Sequence, residues 1–176
     1  MVGNRLASIV FPEPGGPTSR MFDFDSSTSL VAIHLACQSL LYRECEMALA
    51  GGSTIEVPHG LQALRQADLV VVPSWNEPEQ AAPAPLVAAL RRAHARGTPV
   101  VGLCLGAFVL GDAGLLDGRA ATTHWGWRDL FARRFPQVDF RPDVLYVDDG
   151  DIVTSAGTVA AIDCCLNLVR QRHGAD

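Results

Sequence analysis

A cysteine stands between two glycines in Gly102-Leu103-Cys104-Leu105-Gly106, where an apolar run from Thr98 meets a helix-like run from Ala107 to Leu110. G-x-C-x-G at a strand-to-helix junction has the form of a nucleophile elbow with cysteine in place of serine. Small flanking residues suit it because the turn brings strand and helix backbones close together. A sulfur at this point faces the first free N–H groups of the helix, whose partial positive charge favours thiolate and can bind an oxyanion. Cys104 is therefore expected to be partly activated. Free cysteine is also among the most buried residue types, so a structural core cysteine fits the same spacing.

A nucleophile needs a base or an electropositive setting, and the chain has five histidines. His34 and His94 lie in helix-like runs, His173 is near the C-terminus, and His59 follows Val57-Pro58. His124, in the run A-T-T-H-W ending at Trp125, is the best polar candidate; a buried histidine bonded to backbone reads equally well. Glu13 follows the first strand, where α/β folds place ligand loops, and Asp23 lies a little further on. Either could share a proton with Cys104, and both also read as solvated loop carboxylates. Ser155-Ala156-Gly157 follows another strand and opens the last helix, so its N–H groups can face the same crevice. Trp75 fits an apolar wall or simple packing.

These residues need a frame, and strand and helix signals alternate along the chain, which favours a parallel sheet with helices on both faces. Leu6–Phe11 reads as a strand, and after a Pro/Gly-rich loop Ser26–Leu41 reads as a helix. Glu44–Ala50 and Ser53–Val57 read as strands around Gly51-Gly52, with a short helix over Gly60–Gln66. The unbroken apolar run Leu69–Val72 predicts a buried strand, and Leu86–Arg96 a helix with Gly97 as its C′ residue. Arg119–Thr123 is extended, Gly126–Arg134 a surface helix, and Val144–Val147 with Ile152–Thr154 an edge hairpin around D-D-G-D. Val159, Ile162, Leu166 and Val169 share one face of a final helix, in which Cys165 is expected in the core.

The 176 residues, 48% hydrophobic, suffice for one domain with a full core, and a single domain over 1–176 is expected. Nineteen acidic against fourteen basic residues give a net charge of −5, the wrong sign for holding phosphates, so DNA binding by these residues alone is not expected. No run reaches the ~18 apolar residues of a membrane span and no signal peptide is evident, which predicts a cytoplasmic protein off the membrane. Five cysteines with no C-x-x-C argue against a disulfide framework or a metal site, and no cofactor is expected.

Read together, Cys104–Leu110, A-G-L-L-D-G-R over 113–119, A-T-T-H-W over 121–125, P-D-V-L-Y-V-D-D-G-D over 142–151, T-S-A-G-T over 154–158 and A-I-D over 161–163 resemble the ThiJ/PfpI class of glutamine-amidotransferase-like domains. More narrowly, the chain is similar to the N-terminal ligand-sensing domain of AraC-type transcriptional regulators. The resemblance is strong from Leu61 to Gly174; residues 1–60 fit the usual pattern poorly beyond Phe11-Pro12-Glu13. It implies a flavodoxin-like three-layer α/β sandwich with a mostly parallel sheet, commonly dimeric, with its pocket around the elbow cysteine. Catalytic relatives place a histidine directly after the cysteine, where this chain has Leu105, or bring one from a later loop, near Val138. Isonitrile hydratases share the G-L-L-x-G-x-x-A-T-x-H-W run and use cysteine with an acid, usually with threonine in the place of Leu105.

The resulting expectation is an effector-binding domain for a small polar metabolite of amide, amino-acid or amine type. Trp75, Gly102, Leu105, Gly106, His124, Ser155 and Gly157 would line its site. DNA would be reached only through a helix-turn-helix domain outside these residues, and the domain would form a homodimer. The alternatives are a hydratase or hydrolase using Cys104 with Glu13 or Asp23, and a thiol-based stress protein.

Overall fold

The computed structural model describes residues 6–8, 47–50, 53–56, 61–75, 77–157 and 159–174. Its contacts group into two compact units, one formed by Met1–Ser8 with Leu64–Asp176 and one by Ile9–Ala63. The second unit contains an antiparallel hairpin of β2 (Met47–Ala50) and β3 (Ser53–Glu56), where the sequence predicts paired strands. The helix expected over Ser26–Leu41 lies outside the described residues.

The first unit is built on a sheet of β1 (Leu6–Ser8), β4 (Leu69–Val72), β5 (Val100–Leu103), β9 (Ile152–Ser155) and β8 (Tyr146–Asp149), in that spatial order. All neighbours are parallel except β8, which returns antiparallel beside β9 as the edge hairpin. Leu69, Val70, Val72, Val100 and Val101 are buried, and Val71 half-buried, because a parallel sheet is covered on both faces. Alternation along the strands turns Leu69, Val101, Leu103 and Val153 to one side, where they pack with Cys164 and Leu168 of the last helix. Val100 and Gly102 face the other side, where Gly102 meets α2 (Gly106–Asp112) at Ala107 and Leu110. Beside α2 runs α1 (Ala84–Ala95), joined to it by the Arg91 Nε–H donating to the Ala113 carbonyl at 2.7 Å. These are the three layers that the resemblance implies.

Helix α1 begins two residues before Leu86, with Pro85 in its first turn, where a missing N–H costs nothing, and Gly97 follows its cap as the spacing predicts. The segment after His124 is a 3-10 turn, Trp125–Trp127, leading into α3 (Arg128–Arg134). Phe131 anchors α3 in an aromatic cluster, 5.1 Å from Phe108 and 5.0 Å from Phe135 between ring centroids. A short parallel pair, β6 (Ala120–Ala121) with β7 (Asp139–Phe140), brings the following threonines to the sheet.

The last helix, α4 (Ala160–His173), departs from expectation. Val159 at its N-cap and Ile162, Leu166 and Val169 along it are exposed, and so is Cys165. Ala160, Cys164 and Leu168, one helical turn apart, face the sheet instead. Small side chains at 160 and 164 let the helix lie close on β5 and β9, and periodicity alone does not say which of two apolar stripes packs. The core cysteine is thus Cys164 and not Cys165. Burial, first of all, and the nearby Cys165 and Asp148 push its thiol up to about 12.

Candidate functional site

The C-terminal ends of β4, β5 and β9 meet at the elbow, the end of a parallel sheet at which α/β folds gather their ligand groups. Cys104 has φ +54°, the one non-glycine residue in the left-handed region among those described. A side chain held there against the backbone's preference marks a strained elbow turn. The two glycines answer to contacts: a Cβ on Gly102 would stand 3.1 Å from the Ala107 nitrogen, and one on Gly106 only 2.1 Å from the Val72 carbonyl oxygen. Gly106 therefore lets α2 start directly against the backbone of β4.

Hydrogen bonds fix the turn from the β9 side. The Cys104 N–H donates to the Ser155 carbonyl at 3.0 Å, and the Thr123 hydroxyl donates to the Cys104 carbonyl at 2.9 Å. The Thr122 N–H in turn donates to the Thr154 hydroxyl at 2.9 Å. Thr122, Thr123, Thr154 and Ser155 are all buried, so these neutral bonds lie away from water. The hydroxyls of Ser155 and Thr122 have no hydrogen-bond partner among the described residues.

The expected activation of Cys104 is not what the geometry produces. Burial raises its thiol above the ordinary value, and hydrogen bonds from the Leu105 N–H and the Ser74 hydroxyl pull it back only in part. The helix-start amide acts in the anticipated direction, but desolvation of the charged form outweighs it. His124 caps the 3-10 turn, its Nδ1 accepting from the Gly126 N–H at 3.1 Å. Its ring stacks on Trp125 with centroids 5.4 Å apart, and its Cδ2 edge lies against Gly157. Trp125 is 72% exposed.

Cys104, Gly102, Leu105, Gly106, His124, Ser155 and Gly157 are thus gathered at one end of the sheet. Trp75 follows the end of β4, but it is 5% exposed, with its indole N–H donating to the Glu77 carbonyl at 2.8 Å. Glu13 and Asp23 lie outside the described residues. Thr123 carries a hydrogen bond to the elbow that its place in the A-T-T-H-W run does not single out. Among the described residues no group of three His, Cys, Asp or Glu side chains is placed to hold a metal ion.

Residues 28–171 match the profile of the DJ-1/PfpI family. The chain belongs to the DJ-1/PfpI family. Among curated relatives of this DJ-1/PfpI chain, the HTH-type transcriptional regulator CdhR of Pseudomonas aeruginosa is 38% identical over 125 residues, 71% of this chain and 37% of that protein. An isonitrile hydratase of Pseudomonas putida is 38% identical over 87 residues, 49% of this chain and 37% of the enzyme. The chain thus spans little more than a third of the length of these relatives. The crystal structure of an AraC family transcriptional regulator from Pseudomonas putida superposes with a TM-score of 0.61 at 24% identity, covering 96% of this chain and 93% of that one. This last likeness shows a shared fold.

Proposed function

We propose that this DJ-1/PfpI domain is the effector-binding part of an AraC-type transcriptional regulator, and that it takes a small polar metabolite of amide, amino-acid or amine type at the elbow. The observation that carries this reading is the state of Cys104. A thiol whose ionisation burial opposes makes a poor nucleophile. The His124 Nδ1, a possible base, already accepts the Gly126 N–H. The similarity to CdhR over 125 residues supports the same assignment. In this reading the protein is a cytoplasmic homodimer, and its DNA contacts belong to a helix-turn-helix domain outside these residues.

A second reading, a cysteine hydratase, draws support from the identity to isonitrile hydratase and from the strained elbow at Cys104. Cys104→Ser separates the two. For a sensor, metabolites from an amide, amino-acid and amine panel that raise the melting temperature of the wild type also raise that of the variant, with affinities within ~1 kcal/mol. Wild-type turnover of isonitriles or simple amides is then absent. Turnover that falls by orders of magnitude in Cys104→Ser would overturn the sensor reading.

A further inference from the structure

Strand β9 turns alternate side chains to opposite faces of the sheet. The Thr154 hydroxyl takes the Thr122 N–H on one face, and Val153 packs with Cys164 of α4 on the other. Ser155 therefore directs its hydroxyl to the face that α4 covers, between its cross-strand neighbours Leu103 and Tyr146. It is fully buried there and has no hydrogen-bond partner among the described residues. A hydroxyl held out of water without a partner destabilises the fold, so its place asks for a group that the protein itself does not supply.

The chain returns over that face through the first turn of α4, whose Ala160 is buried. Val159 at the N-cap provides no side-chain cap. Ala161 and Ile162 donate to the Gly157 and Val159 carbonyls, and the N–H groups of Val159 and Ala160 have no acceptor among the described residues. Free N–H groups at the positive end of the helix dipole favour an anion. Asp163 in the same turn is exposed, where water and salt screen its charge. The Ser155 carbonyl holds the Cys104 N–H at 3.0 Å, so these donors adjoin the elbow.

We infer that the Ser155 hydroxyl and the N-terminus of α4 form a carboxylate subsite of the elbow, so that the metabolite is an acid of amino-acid type and not a neutral amide or an amine. The inference rests on the effector-binding reading and narrows it to one of its three ligand classes.

The test titrates the full chain calorimetrically with matched probes, L-amino acids, the corresponding L-amino-acid amides and the corresponding amines. An amino acid is expected to bind about ten-fold tighter than its amide, and Ser155→Ala to remove most of that preference by weakening the acid alone. A second measurement needs no ligand. Because the hydroxyl is unpartnered, Ser155→Ala is expected to leave the melting temperature of the free protein unchanged or to raise it. A fall would show that the hydroxyl already serves the fold, and overturns the inference. Amides or amines that bind as tightly as the acids, or an acid preference that survives Ser155→Ala, overturn it too and spare the effector-binding reading. No binding by any of the three classes overturns both.

Discussion

The two ends of the central sheet are held by opposite kinds of chemistry. At the elbow end the ties are neutral, made by backbone N–H and carbonyl groups and by hydroxyls, among buried residues. At the other end the Asp151 carboxylate takes the His94 Nε2 at 2.7 Å on one oxygen and the Arg119 guanidinium at 2.6 Å on the other, with Asp149 3.6 Å from the same Arg119 nitrogen. These groups are partly open to solvent, Asp151 with 45% of its side chain exposed. Charged pairs near water tolerate loose geometry and contribute little each, whereas buried neutral bonds act only when their partners are in place. The difference teaches where precision resides: the far end is pinned by attraction, and the elbow end is set by shape.

The comparison can be broken most strongly at Gly106. Gly106→Ala drives a methyl group onto the Val72 carbonyl, a backbone atom that cannot step aside, and is expected to cost about 3 kcal/mol or more in urea unfolding. A loss below ~1 kcal/mol would show that the elbow end has slack. Thr123→Val keeps the shape and deletes the hydroxyl that serves the Cys104 carbonyl; a loss of about 1–2 kcal/mol is expected, seen as a lowered melting temperature.

The smallest effect belongs to Asp151→Asn. The Arg119 hydrogen bond, ahead of His94, lowers the Asp151 carboxyl below its ordinary value of 3.8. The stability it contributes is therefore present above that unfolded value and is lost as pH falls through the lower folded one. Exposure keeps it below ~1 kcal/mol at neutral pH. Wild type and variant should converge on the acid side of that window, and a gap that persisted there would exclude charge as its cause.

What was legible in the sequence divides along the same line. The G-x-C-x-G spacing located the elbow because glycine is demanded by contacts at both flanks, and the D-D-G-D turn located the edge hairpin. Gly97 marked the end of α1 for a comparably local reason. The face of α4 was not legible, since Ile162 and Leu166 are as apolar as Leu168 and only the sheet decides which stripe packs. The protonation of Cys104 was hidden for a related reason. The helix start that favours thiolate is visible in the residue order, but the burial that opposes it arises from strands that meet only in the fold.

The contact of Gly106 with Val72 has a mechanical meaning. An elbow whose one side is bonded to Ser155 and whose other side lies against a carbonyl of β4 has no hinge, and a joint without compliance passes on whatever displacement it receives. Any displacement of the Cys104 turn by a fraction of an ångström is therefore passed to β4, β9 and the start of α2 together.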